Sequence, residues 1–169
     1  KYSYVFSVSA TKQVEFSKGN LYWDGTKFAE EDNQFAYTTT FNSNHVDRFF
    51  YSKDATIARA ASYSSSGATS SDVLFAANGG AIEGKTVLTK DELSYLIETR
   101  IVNEGVGEGY SYQKAKVNGT NGLIIYPDNY IDQTSATSYT IEEFNLMESK
   151  GCIFLPAIGN RQGTNISKK

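Results

Sequence analysis

The sequence predicts an α+β domain in which two short capped helices pack on small antiparallel sheets joined by long irregular loops. Three observations carry this expectation. Two segments open with a complete capping box ahead of an apolar stripe. Several short runs of alternating or apolar residues are separated by Asp-Gly and Asn-Gly pairs, the residues that tight hairpins favour. The order is strands, irregular region, helix, hairpin, helix, strand, which does not alternate as βαβ units do.

The chain opens on Tyr2-Ser3-Tyr4-Val5-Phe6-Ser7-Val8-Ser9, which alternates apolar residues with serine and so predicts a half-buried strand. Gln13–Phe16 predicts a second, short one. Leu21–Trp23 and Thr26–Ala29 flank Asp24-Gly25, a pairing that predicts a type I′ hairpin. Residues 30–72 are less regular: Asn33–Tyr37 is a candidate strand, Phe49-Phe50-Tyr51 an aromatic knot, and Ser62–Ser71 a polar low-complexity stretch read as a long surface loop. Val73–Ala77 is an apolar run closed by the turn Asn78-Gly79-Gly80.

The clearest helix spans Thr89 to Arg100. Thr89 and Glu92 form the capping box, Asp91 and Glu92 suit the positive end of the dipole, and Arg100 suits the negative end. Leu93, Leu96, Ile97 and Arg100 give a narrow stripe, and Leu88 is placed to staple onto Leu93. Gly105–Gly109 is a turn. Tyr112–Val117 and Leu123–Tyr126 flank Asn118-Gly119-Thr120-Asn121-Gly122 and predict a hairpin, ended by Pro127-Asp128-Asn129. The second capping box is Thr140–Glu143. Phe144 and Met147 form its stripe, Lys150 its last turn and Gly151 its C′ residue, and Cys152–Pro156 follows as a strand.

At 169 residues the chain predicts one domain, 1–169, large enough to bury a core. It is 14% aromatic, too rich in rings for disorder. A net charge of −3 argues against nucleic acid and anionic membrane as partners, and no apolar run has the length of a membrane span. No leader is visible, which a mature exported chain would have lost. The Ser/Thr/Asn/Gly/Tyr-rich composition points to a bacterial or phage surface domain.

No catalytic constellation stands out. Cys152 is the single cysteine and sits in an apolar run, where it reads as a small buried hydrophobe. His45 is the single histidine, with Asp47 near it but no second His or Cys to complete a metal site. No G-x-S-x-G elbow exists, and Gly105–Gly109 carries Glu108 where a phosphate would sit. Asp128, Asn129 and Asp132, with Asn118 and Asn121, are hard oxygen donors that calcium would accept, but turn formation is the plainer account of them. No other cofactor is expected.

Four pieces, Val14–Leu21, Thr86–Glu92, Val117–Asp128 and Phe154–Ala157, occur in an order that resembles surface-exposed domains of Bacteroidetes-type bacteria and their phages. That group is similar to a divergent C-type-lectin-like fold, akin to the formylglycine-generating (sulfatase-modifying) family and to the variable proteins of diversity-generating retroelements. The Leu88-Thr89-Lys90-Asp91-Glu92 helix start is similar to that family's "LPTEAEWE" start, with Leu93 where relatives carry Trp. The formylglycine enzymes need cysteine chemistry, and here Cys152 stands alone. The resemblance also implies closing strands after the Leu-Pro-Ala-x-Gly-x-Arg run that ends at Arg161, from beyond Lys169 or from a neighbour.

The resulting expectation is a non-enzymatic, extracellular or phage-borne recognition domain for a glycan or protein ligand. A structural subunit of a surface or phage assembly, an oligomer completed by a neighbour's strands, is the alternative, and an enzyme related to the formylglycine family, as the resemblance implies, the minor one. The loops at 37–51, 62–72 and 127–139 would carry the contacts, since Tyr, Ser, Gly and Asn give rigid amphipathic surface and adaptable hydrogen bonding. The candidate ligand-binding residues are Trp23, Tyr37, Phe41, Asn44, Tyr51, Tyr63, Asp128, Asn129, Tyr130 and Arg161. Packing of a small core is the competing account of the rings among them.

Overall fold

The computed structural model describes residues 4–47, 85, 87–100, 102, 111–162 and 164–167. In chain order the elements are β1 (Phe6–Ser7), β2 (Gln13–Val14), β3 (Leu21–Trp23), β4 (Phe28–Glu30) and α1 (Lys90–Ser94), which runs into a π turn (Tyr95–Thr99). Then come β5 (Tyr112–Val117), β6 (Thr120–Ile125), β7 (Ser138–Tyr139), α2 (Ile141–Ser149), β8 (Ile153–Pro156), β9 (Asn160–Gln162) and β10 (Asn165–Ser167). The class is mixed α+β, with small sheets and two short helices among the described residues. The expected features at 49–51, 62–71, 73–80 and 105–109 lie outside the described residues.

The chain divides into two compact units, Lys1–Lys18 with Leu88–Ala157, and Gly19–Val87 with Ile158–Lys169. The first unit is built on a four-stranded sheet in the order β7-β5-β6-β8. β5, β6 and β8 are antiparallel, but β7 runs parallel to β5, a correction to the expectation of purely antiparallel sheets. The β5–β6 hairpin closes on Asn118 and Gly119, both at positive φ (49° and 77°), as a two-residue I′ turn requires. Asn121-Gly122, the second turn signal, lies inside β6, where a side chain at Gly122 would collide with the Phe154 ring of β8.

Both capping boxes form, with reciprocal bonds between Thr89 and Glu92 and between Thr140 and Glu143. α2 places Phe144 edge-on to Phe154, ring centroids 5.8 Å apart, and so covers one sheet face. It ends in a Schellman motif: Gly151 N–H donates to Glu148 and Cys152 N–H to Met147. Gly151 holds φ at +94° and lies under the Tyr4 ring, so no side chain fits there. The opposite face carries the core of the unit, where Phe6, Val8 and Leu96 pack on Ile125 and Ile153.

α1 departs from expectation. Its last turn widens to a π turn, in which Arg100 N–H bonds the Tyr95 carbonyl, so the apolar stripe breaks. Leu96 is buried, whereas Leu93 is 47% exposed, and Leu88 packs on the core.

In the second unit β3 and β4 pair as expected, but the turn between them is not type I′. Trp23 pairs with Phe28, leaving a four-residue loop, and only Gly25 has positive φ. The Asp24 carboxylate causes this by accepting from the Thr26 and Lys27 amides, which also holds its pKa low. The expected strand at 33–37 does not form, because the Asn20 side chain takes the Gln34 and Ala36 carbonyls that a ladder would need. β9 and β10 form a hairpin at the end of the chain.

Candidate functional site

The first unit carries a cleft of about 610 Å³. One wall is the π turn, from Ile97 to Arg100. The floor is β5 at Tyr112, Gln113 and Lys114, and the opposite wall is the loop Gln133–Ser135. Successive strand side chains point to opposite faces, so three consecutive residues share one cleft only if it runs along the strand's edge.

Arg100 sets the first wall. It is buried, donates to the Leu96 and Ser111 carbonyls, pairs with Asp128 at 3.0 Å, and lies 5.4 Å from the centroid of the Phe6 ring. Burial lowers its pKa and the Asp128 contact opposes that, yet a guanidinium stays charged throughout. It is therefore a buried clamp and not the helix-end counter-charge that the sequence suggests.

Asp128 completes the clamp. Burial opposes its ionisation, but the Ser7 amide, Ser7 hydroxyl, Arg100 and Gln13 outweigh that and hold its carboxyl below the ordinary range. Four donors occupy its two oxygens. Ser111 adds a bond from its hydroxyl to the Ile97 carbonyl, tying the π turn to the start of β5.

Two glutamines, one on the floor and one on the opposite wall, distinguish the cleft. Gln113 is saturated. Its carbonyl accepts from Tyr126 and Tyr139, and its amide donates to the Thr134 and Ala136 carbonyls, which straps the loop to β5. Burial raises the Tyr126 pKa, so its hydroxyl stays a donor. Gln133 is the opposite case: both ends of its carboxamide are buried and neither has a hydrogen-bond partner.

The backbone of β5 adds unmet capacity. Lys116 and Asn118 turn their N–H groups toward β7, to the Thr137 and Tyr139 carbonyls, whereas the Ser111 carbonyl faces β6. Alternation turns Tyr112 and Lys114 to the same side as Lys116. β7 pairs only with Lys116 and Val117, so among the described residues nothing pairs with the outward groups of Tyr112 and Lys114.

The expected ligand residues are distributed over both units. Asp128 is the clamp just described, and Asn129 beside it is exposed. Tyr130 is 2% exposed, stacked on Tyr126 with centroids 4.9 Å apart and bonded to the Cys152 thiol, a core position. In the second unit the buried Arg161 lies over the Phe41 ring, Trp23 packs edge-on to Phe28 and bridges to Val46, and Asn44 lies beside Gly25. Tyr37 is half-buried, and Tyr51 and Tyr63 lie outside the described residues.

His45 stacks on Tyr22 with centroids 3.9 Å apart, and its Nε2 meets Glu31. Burial pushes the Cys152 thiol up to about 12, which removes thiolate character at neutral pH. No group of three His, Cys, Asp or Glu side chains able to hold a metal occurs among the described residues. Nor is any described helix long and apolar enough to cross a membrane.

The cleft residues Gln113, Gln133, Thr134 and Ser135 were not singled out by sequence, although three of them fall in the 127–139 loop expected to carry contacts. The one sequence signal was the polar run Asp132-Gln133-Thr134-Ser135. No family model, curated protein or solved structure significantly matches the chain.

Proposed function

We propose that this chain is a non-enzymatic recognition domain acting outside the cell, with a protein or glycan as ligand. The observation that carries the reading is the unmet hydrogen-bonding capacity gathered in one cleft: a buried carboxamide and a strand edge, neither with a partner among the described residues. Buried polar groups in native proteins are nearly always bonded, so an exception lining a cleft of ligand size marks a binding site. A C-type-lectin-like scaffold of the kind borne by bacterial surface proteins and phages, as in retroelement-diversified binders, belongs to the same proposal and rests on the ordered sequence motifs. The test is a screen of the folded full chain against immobilised glycans and displayed peptides. Saturable binding without chemical change of the ligand is expected, and a folded sample that binds nothing in either set overturns the reading.

A structural subunit is the second reading, favoured by a separate observation. β8 is an edge strand, and its 42% exposed Leu155 joins Leu123 in a shallow hollow of about 680 Å³ beside Lys114 and Lys116. Light scattering separates the two, since a monomer at all concentrations removes the assembly.

A further inference from the structure

We propose that the ligand of the cleft is an extended peptide segment of a partner protein, which adds as a strand to the outer edge of β5 and engages the Gln133 carboxamide. This deepens the recognition reading and rests on it.

The chemistry of the edge selects the ligand. The outward N–H and C=O groups of Tyr112 and Lys114 alternate along the cleft floor at the spacing of a β-strand. An extended peptide offers complementary groups at the same spacing, the basis of strand addition. The Gln133 carboxamide carries a donor and an acceptor side by side, and once its side chain swings out it can satisfy both on the C=O and N–H of a single extended residue, which point to the same side of a strand.

The surroundings agree. Lys114 and Glu98 balance in charge at the rim, and Arg100 is neutralised by Asp128, so the site calls for a neutral backbone rather than an ionic headgroup. β7 stops the incoming strand at Lys116, and the Gln113 strap holds the loop wall open at Gln133–Ser135. The segment bound along Tyr112–Lys114 is therefore short, about three to five residues.

The experiment selects heptapeptides displayed on phage against the full folded chain and synthesises the enriched sequences. Binding is followed by amide hydrogen exchange and by the side-chain amide resonances of Gln133. The expected result is that Tyr112 and Lys114 amides exchange at least about tenfold more slowly with peptide bound, that N-methylation weakens the peptide at alternate positions only, and that Gln133→Leu weakens binding about tenfold. N-methylation alters the peptide alone, so the alternation is readable even where a protein variant folds poorly.

Peptides that bind without protecting Tyr112 and Lys114 overturn strand addition and leave the recognition reading standing. A selection that yields no peptide, while methyl glycosides of glucose, galactose or mannose shift the Gln133 resonances, overturns the peptide and leaves recognition of a glycan. Neither class binding overturns both.

Discussion

Replacing Gln133 by methionine should make the protein more stable. Both polar atoms of the Gln133 carboxamide are buried without a hydrogen bond, so folding strips them of water and returns nothing. An unsatisfied buried polar group costs about 1–3 kcal/mol. Methionine has a similar unbranched length and no polar group to satisfy, so it removes that cost and fills the same space with little strain. We expect a gain of about 2 kcal/mol, which for a chain of this length raises the melting temperature by about 4–8 °C. Gln133→Glu should move stability the other way, because it places a charge where a neutral amide is already unsupported. Thermal melts by circular dichroism and urea titrations measure both variants. A Gln133→Met protein no more stable than the parent would refute the reasoning, since it would mean that the amide is satisfied in solution. A stabilised variant that also loses its peptide would show a residue kept at a cost to stability, the pattern expected of a binding group.

Three further outcomes follow from the framework. Asp128 has its pKa lowered from 3.8 in the folded state, so the unfolded chain binds more protons between the two values and stability falls as pH drops from about 5 through that window; Asp128→Asn should cost about 3 kcal/mol at pH 7 by leaving Arg100 without its counter-charge, and the two pH–stability curves should converge in acid. Gly151→Ala should destabilise by more than about 1 kcal/mol in denaturant melts, because φ is +94° there and the Tyr4 ring occupies the side-chain position. Cys152 should resist alkylation by iodoacetamide at pH 8 in the native protein and react at once in denaturant, because its thiol is buried and its pKa is pushed up to about 12; rapid native labelling would contradict that burial.

How far the sequence reaches depends on how local each interaction is. The two capping boxes and the Gly151 stop are written within a few residues and form as read, and of the two turn signals in Asn118–Gly122 the first alone closes the hairpin. Asp24-Gly25 carries the same kind of signal, yet the Asp24 carboxylate finds two backbone amides in its own loop and a longer turn wins. Arg100 shows the same limit at longer range. At a helix end it reads as a solvated counter-charge, and only the fold brings Asp128, 28 residues on, within 3.0 Å to make it a buried clamp. β7 is two residues long and its pairing with β5 is parallel and non-local, so no pattern within Ser138-Tyr139 could announce it.

The cleft is the extreme case. Gln113 and Gln133 are the same residue type, twenty positions apart, each beside residues that suit a strand or a polar loop. One ends with every hydrogen-bonding group of its carboxamide in use and the other with none. The difference arises because the connection from β6 to β7 must cross the end of β5, and Gln113 is the side chain positioned to strap it down. Gln133, one residue before the strap, is carried into the cleft wall, and among the described residues it finds no partner and the stop of β7 at Lys116 leaves the strand edge below it open. Both unmet features thus come from one topological step, the short parallel strand, and lengthening β7 toward Tyr112 would close the site.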